Sequence, residues 1–171
     1  MQPSLPSTFV PRTVSTSEGA DIFVRSGGSG PVVVLLHGYA ETSDSWAPLA
    51  ADLIKSYTVV VPDLRGIGRS SRPPGGYDKK TQAADIRSVV VALGYDRVSL
   101  VSHDIGIMVA YAYAARYPDK VERLVVMDAP IPGIAPWDEI VRNPSLWLLP
   151  RTRCRAARTR TRAHLSRSHL E

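Results

Sequence analysis

Short apolar runs alternate with longer segments of helical periodicity along most of this chain. Residues 31–36 (PVVVLL) are apolar throughout, as expected for a central parallel strand buried on both faces. The pattern predicts further strands over residues 9–14, 21–25, 57–61, 98–101 and 121–127. It predicts helices over residues 45–55, 81–93 and 106–117. This alternation implies right-handed crossovers, so we predict an α/β fold with a doubly wound, mostly parallel sheet.

The first predicted helix, over residues 45–55, concentrates its large apolar side chains on one face. Its spacing places four residues toward the core: Trp46, Leu49, Leu53 and Ile54. We therefore expect this helix to pack on the sheet through these four side chains.

The amino-acid composition of the chain changes twice after Asp128. Residues 129–150 contain five prolines and two tryptophans, which is typical of an irregular segment. The stretch 151–171 has only Leu165 and Leu170 as large aliphatic residues, too few to offset the entropy of ordering it. We therefore predict a core domain over residues 1–147 and a disordered, arginine-rich tail over residues 148–171.

The net charge of +5 is distributed unevenly. Residues 1–150 hold 14 Lys and Arg against 15 Asp and Glu, whereas residues 151–171 hold seven Arg against one Glu. Because the basic excess belongs to the tail, we expect no nucleic-acid partner for the core. The alternative is a nucleic-acid-binding protein acting through the tail. That tail has no aromatic residues for base stacking, and a gel shift with the tail deleted separates the two interpretations.

Other features of the composition narrow the class of protein. No apolar run reaches the roughly 18 residues that a membrane-spanning helix needs. The first residues lack the positive patch and apolar stretch of a secretory signal. The single Cys154 excludes an internal disulfide and a cysteine-rich metal site. We expect a cytoplasmic protein with no metal, no cofactor and no membrane contact.

The strongest chemical signal follows the predicted strand 98–101. The sequence Ser102-His103-Asp104-Ile105-Gly106 leads directly into an alanine-rich helix. It has the small-x-nucleophile-x-Gly form of the nucleophile elbow of α/β-hydrolases, with Asp104 in the nucleophile position. The start of the helix favours an ionised carboxylate, which a nucleophile requires. The alternative is that Asp104 only caps the helix.

A second motif, His37-Gly38-Tyr39, follows the buried strand 31–36. In hydrolases of this fold, this loop supplies one donor of the oxyanion hole, and the residue after the nucleophile supplies the other. The two donors here would be the backbone N–H groups of Tyr39 and Ile105. We expect His37 to tie loops together, and we expect His103 to be a structural neighbour instead of a base. Four residues are also candidates for lining the substrate pocket: His37, Gly38, His103 and Trp137.

A third motif lies after the strand 57–61, where residues 63–70 read DLRGIGRS. Two glycines at this spacing are found in phosphate loops, but no lysine and no opening helix follow in the Walker pattern. We predict a structural turn beside the site, in which Asp63 and Arg65 fix loops and do not react.

Three segments together carry a family resemblance: HGYAETSDSW, PDLRGIGRSSRP and SHDIGIMVAYAYAARYPDKVERLVVMDAP. Over about residues 20–140, the chain resembles the epoxide hydrolase branch of the α/β-hydrolase superfamily, near the haloalkane and haloacetate dehalogenases. Epoxide hydrolases often have Trp after the nucleophile, where this chain has Ile105. Haloacetate dehalogenases tend to place arginines there, and Ile105 and Ile107 supply none. We favour an epoxide as the electrophilic small-molecule substrate, with a halide as the alternative.

The resemblance implies a two-step reaction. Asp104 attacks a ring carbon to form an ester while tyrosines of a cap region hold the epoxide oxygen. A late histidine, oriented by an acid, then activates water to release a diol. In some relatives the acid lies where this chain has Asp128.

The resemblance also implies a longer chain than this one. We expect a truncated hydrolase core that includes only the start of the cap connection, and a tail that originates in a frameshift or a misannotated end of the coding region. His164 and His169 lie in that tail, so we do not expect either to be the base, and a catalytically inactive fragment stays open. Strand 121–127 would then be a sheet edge, and self-association is the expected result.

Overall fold

The computed structural model describes residues 4–131, 133–135 and 137–142. It contains a six-stranded sheet whose strands are β1 (Val10–Ser15), β2 (Asp21–Gly27), β3 (Val32–Leu36), β4 (Thr58–Pro62), β5 (Val98–His103) and β6 (Val121–Met127). The helices are α1 (Ala47–Leu53), α2 (Lys79–Ala92), α3 (Ile105–Arg116) and α4 (Trp137–Arg142), with 3₁₀ turns at Ser43–Trp46 and Pro118–Lys120. The predicted disordered tail, residues 148–171, lies outside the described residues.

The strands lie in the order β1-β2-β4-β3-β5-β6. Strand β3 pairs in parallel with both β4 and β5, and β5 pairs in parallel with β6. Strands β1 and β2 form an antiparallel pair, and β2 joins β4 in the antiparallel sense. The prediction of a mostly parallel α/β sheet is confirmed. After β3 the chain forms β4 on one side of β3, and later it forms β5 on the other side. Such a change of side opens a crevice at the carboxyl ends of the strands.

Two apolar clusters cover the two faces of the sheet. Along β3, Val34 and Leu36 belong to the cluster beneath α2 and α3, whereas Val33 and Leu35 belong to the cluster beneath α1. This division follows from the alternation of side chains along a strand. Each fully buried aliphatic side chain stabilises the fold by about 1.5–3 kcal/mol relative to an exposed one. The buried central strands therefore hold the loops that follow their carboxyl ends in place.

Helix α1 differs from its prediction in one respect. Trp46 is buried, and Leu53 and Ile54 pack partly against the core, but Leu49 is 39% exposed. The prediction for Leu49 is wrong, and Ala47 and Ala50 take the inner positions. The reason is the helix geometry of α1, in which Ala47, Ala50 and Leu53 recur at three-residue spacing on the inner face and Leu49 lies to one side of that face.

Strand β6 is an edge of the described sheet. Its residues from Glu122 to Met127 are exposed, in contrast to the interior strands. Within the described residues, no helix is long and apolar enough to cross a membrane.

Candidate active site

The candidate site forms where three parallel strands end side by side. Leu36 at the end of β3 lies opposite Ser102 of β5, and His103 lies opposite Met127 at the end of β6. The Asp104 N–H donates a hydrogen bond to the Met127 carbonyl oxygen at 3.1 Å, which holds the turn after β5 to the neighbouring strand. The loops after these strands are thereby brought together.

Asp104 occupies the sharp turn between β5 and α3. Its backbone has φ 47° and ψ −125°, a conformation that costs a non-glycine residue about 1–3 kcal/mol. The carboxylate forms no capping hydrogen bond to α3, although Asp104 stands at the N-cap position. The capping alternative is therefore not supported by the geometry. Strain of this kind is typical of a nucleophile elbow.

The small residues on either side of Asp104 are required by close packing. A Cβ atom on Gly106 would lie 2.6 Å from the Leu36 carbonyl oxygen and 2.7 Å from the His37 carbonyl oxygen. Ser102 is fully buried, and its hydroxyl donates to the Val125 carbonyl oxygen at 3.1 Å. The turn thus packs directly against the end of β3.

The Asp104 carboxylate faces the loop after β3. The Tyr39 N–H donates to Asp104 Oδ2 at 2.8 Å. Gly38 allows this approach, because a Cβ atom there would lie 2.9 Å from Asp104 Cβ and 3.1 Å from Oδ2. Oδ2 is held by this bond, whereas Oδ1 is not engaged by the described residues. The Ile105 N–H belongs to the first turn of α3, where backbone donors lack partners within the helix.

Two further carboxylates flank His103. Its Nδ1 lies 3.4 Å from Glu41 Oε2, and its Nε2 lies 3.6 Å from Asp128 Oδ2. Burial alone would raise the pKa of the Glu41 carboxyl, but its bond from the Gly38 N–H and the nearby His103 ring lower that pKa below its ordinary value. Asp128 has φ 66°, and its side chain is 87% exposed. The structure thus brings together two of the candidate site residues, Asp128 and His103.

His37 has both ring nitrogens occupied. Its Nε2 accepts from the Leu64 N–H at 2.9 Å, so Nδ1 carries the proton and donates to the Gly38 carbonyl oxygen at 2.9 Å. Burial lowers the pKa of His37, although its bond to Gly38 and the charges of Asp63 and Glu41 act in the opposite direction. These contacts agree with the predicted role of tying loops together. The ring is fully buried and offers no surface to a substrate pocket.

The third motif also supports the loops around the site. Asp63 accepts from the Ser43 N–H at 2.7 Å and from the Arg69 N–H at 2.9 Å. Arg65 forms a buried, two-pronged ion pair with Asp85, with both N–O distances at 2.7 Å. These contacts agree with the structural role predicted for Asp63 and Arg65.

The other parts of the described chain contribute little to the candidate site around Asp104. Trp137 opens α4, and within the described residues it forms no hydrogen bond to the elbow. A shallow cavity of about 360 Å³ lies between α2 and α3, and none of its lining residues belongs to the elbow. Within the described residues, no group of three or more His, Cys, Asp and Glu is arranged to hold a metal ion. Asp104 thus lies at the carboxyl end of the interior strand β5, outside this cavity.

Sequence reasoning missed Glu41. It belongs to the polar stretch ETSDS, whose composition is that of an ordinary loop. The only signal was an acidic residue three positions after Gly38, and no motif connects that spacing to the elbow.

Known proteins are similar to this chain in sequence and in fold. Residues 31–170 match the α/β hydrolase fold family. A soluble epoxide hydrolase from Corynebacterium sp. (strain C12) is 44% identical over 128 residues, which are 75% of this chain and 44% of that protein. A fluoroacetate dehalogenase from Burkholderia sp. is 40% identical over 121 residues, 68% of this chain and 40% of that protein.

A solved structure is also similar to this chain in fold. An epoxide hydrolase variant from Vigna radiata superposes with a TM-score of 0.71 at 32% identity, over 79% of this chain and 44% of that one. The chain spans less than half the length of the relatives it matches. With a mostly parallel sheet, a strained elbow and this match over residues 31–170, the chain belongs to the α/β-hydrolase fold family.

Proposed function

We propose that the site opens epoxides through a covalent ester on Asp104. Oδ1 attacks a ring carbon, the carbon–oxygen bond of the ring breaks, and the released oxygen takes up a proton. The resemblance gives the role of proton donor to tyrosines of the cap region. The observation that carries this proposal is the 2.8 Å bond from the Tyr39 N–H to Oδ2, which leaves Oδ1 as the attacking oxygen.

The same hydrogen bond suits the second step. When water adds to the ester carbonyl carbon, negative charge develops on Oδ2. The Tyr39 and Ile105 N–H groups would stabilise that charge, since donors that are already in place need no reorganisation. Cleavage of the bond between the carbonyl carbon and Oδ1 then releases the diol.

The charge around the site favours a neutral substrate. Glu41 and Asp128 both lie against His103, next to the nucleophile, and the positions after Asp104 supply Ile105 and Ile107 instead of arginines. A haloacid would bring a further carboxylate into surroundings that already hold three, and like charges at close range repel. An epoxide carries no charge and avoids this repulsion.

Within the described residues, the first step is better supported than the second. The hydrolytic step needs a base, and His37 is buried with both ring nitrogens bonded. The ring nitrogens of His103 lie next to Glu41 and Asp128. We therefore propose that the described residues form the ester faster than they hydrolyse it.

Intact-mass spectrometry after incubation with styrene oxide tests the proposal. The expected result is one adduct of the mass of the epoxide, located on Asp104 and absent from Asp104→Asn. Asp128→Asn is the matched control, since it removes a neighbouring carboxylate without removing the nucleophile. Alkylation elsewhere on the chain would contradict the assignment, and sustained diol production would contradict accumulation of the ester.

Removal of a halide is the second candidate function. The 40% identity to a fluoroacetate dehalogenase favours it, because the aspartate nucleophile suits both reactions. Attack by Asp104 on a halogenated carbon would break the carbon–halogen bond and release halide ion. Halide release from 1-bromobutane or chloroacetate, together with no adduct from styrene oxide, would favour this function over epoxide opening.

A further inference from the structure

The loop that presents Tyr39 to the nucleophile contains a strained turn. Ala40 has φ 57°, in the left-handed region that non-glycine residues seldom occupy. The Glu41 N–H reaches back to the Gly38 carbonyl oxygen at 3.4 Å, a long hydrogen bond. A strained conformation of this kind persists only where its surroundings hold it. The question is which contact holds the turn.

The Glu41 side chain provides the shortest contact within this turn. Its Oε2 accepts from the Gly38 N–H at 2.9 Å, and the same oxygen lies 3.4 Å from Nδ1 of His103. His103 immediately precedes Asp104, so one carboxylate oxygen connects the loop after β3 with the elbow after β5. The two successive N–H groups of Gly38 and Tyr39 consequently bind two different carboxylates.

We propose that Glu41 is a positioning residue that sets the direction of the Tyr39 N–H toward Asp104. By holding the Gly38 N–H and the His103 ring, it fixes the turn in which Tyr39 lies between them. Glu41 acts through the Tyr39 N–H and contacts no reacting atom. This inference rests on the proposed function of Asp104, and it adds a residue for which the sequence motifs assign no role.

The experiment compares Glu41→Ala and Glu41→Gln with a matched control, Asp44→Ala. Asp44 is an acidic residue three positions after Glu41, in the 3₁₀ turn, and it pairs at 2.7 Å with Arg25 of β2, a strand that β4 and β3 separate from β5. The rate of Asp104 alkylation by styrene oxide is measured by intact mass over a range of concentrations. Hydrogen exchange of the Tyr39 amide, followed by NMR, reports the geometry without requiring any reaction. Thermal melts report folding.

Glu41→Ala should lower the first-order alkylation constant about tenfold, since small misplacements of a catalytic contact have large effects on rate. The concentration for half-saturation should not change, and Tyr39 amide exchange should accelerate. Glu41→Gln should stay within about threefold of the wild type, because its amide oxygen can still accept from the Gly38 N–H. Asp44→Ala should lower the melting temperature without changing the alkylation constant.

Two results would overturn the assignment. One is wild-type alkylation and wild-type Tyr39 exchange in Glu41→Ala. The other is an equal loss of rate in Asp44→Ala, which would indicate general loosening of the loop. If Glu41→Ala does not fold, Glu41→Asp replaces it, because its shorter side chain withdraws from Gly38. If the wild type forms no adduct, the proposed function fails, while Tyr39 exchange still tests Glu41.

Discussion

The last four residues of strands β3 and β6 are apolar in both cases, but their environments are opposite. From Val33 to Leu36, the side chains of β3 are at most 6% exposed, whereas those of β6 from Leu124 to Met127 are 36–46% exposed. Strand β3 lies between β4 and β5, but among the described strands β6 has β5 alone as a neighbour. An apolar run therefore predicts that a strand forms, but it does not predict what the strand packs against.

This difference divides the candidate site. The Tyr39 N–H is presented from the end of β3, which is rooted in both apolar clusters. Asp128 follows β6, and its side chain is 87% exposed. The part of the candidate site around Asp104 and Tyr39 thus rests on the interior strands β5 and β3, whereas Asp128 rests on the edge strand β6.

The largest expected effect compares core truncations in the two strands. Leu35→Ala should lower the free energy of unfolding by about 3 kcal/mol, because it leaves a cavity in a fully buried position. Val125→Ala should lower it by less than about 1 kcal/mol, because that side chain is already half exposed. Urea denaturation measures both, and equal losses would show that β6 is covered in solution.

The exposed face of β6 leads to a second prediction, self-association of the chain. Among the described strands β6 is paired on one side only, and an edge strand with apolar side chains on both faces invites pairing with another copy. Val125→Lys should weaken association at least about tenfold, which corresponds to about 1.4 kcal/mol. Light scattering over a concentration series measures this, with Val91→Lys, on the exposed face of α2, as the control. A wild-type chain that stays monomeric at all concentrations would contradict the prediction.

A third prediction concerns strain at the elbow. Asp104→Gly should abolish the adduct and raise the free energy of unfolding by about 1 kcal/mol, since glycine adopts positive φ without penalty. Asp104→Asn should abolish the adduct without this stabilisation. Thermal melts of the two variants measure the difference. Identical stability would mean that the turn holds no strain.

The smallest expected effect is a pH dependence of the free energy of unfolding that arises from the buried His37. Burial lowers the pKa of His37 in the folded chain, so the unfolded chain binds the proton more readily. The stabilisation is therefore fully present above about pH 6.5, the ordinary pKa of histidine, and is lost as pH falls toward the lower folded pKa. Urea midpoints at pH 7.5 and 5.5 should differ more for the wild type than for His37→Gln. His103→Gln is the control that keeps this loss.

The sequence contained enough to predict the sheet and the tight turn at Asp104. The strands could be predicted because continuous apolar runs are buried on both faces, and the elbow because Ser102 and Gly106 must be small. The exposure of Leu49 was not predicted, because the interpretation followed the large apolar side chains, whereas the small Ala47 and Ala50 form the inner face of α1. The contact of Glu41 with His103 joins residues 62 positions apart, and only the fold brings them together.

Peptide mapping of the chain after exposure to styrene oxide tests the central claim most directly. We expect the tandem mass spectrum to locate a single ester on Asp104 in the peptide that follows β5, with no ester in Asp104→Asn. An unmodified Asp104 in a folded chain, or an adduct that persists in Asp104→Asn, would contradict the assignment of this carboxylate as the nucleophile.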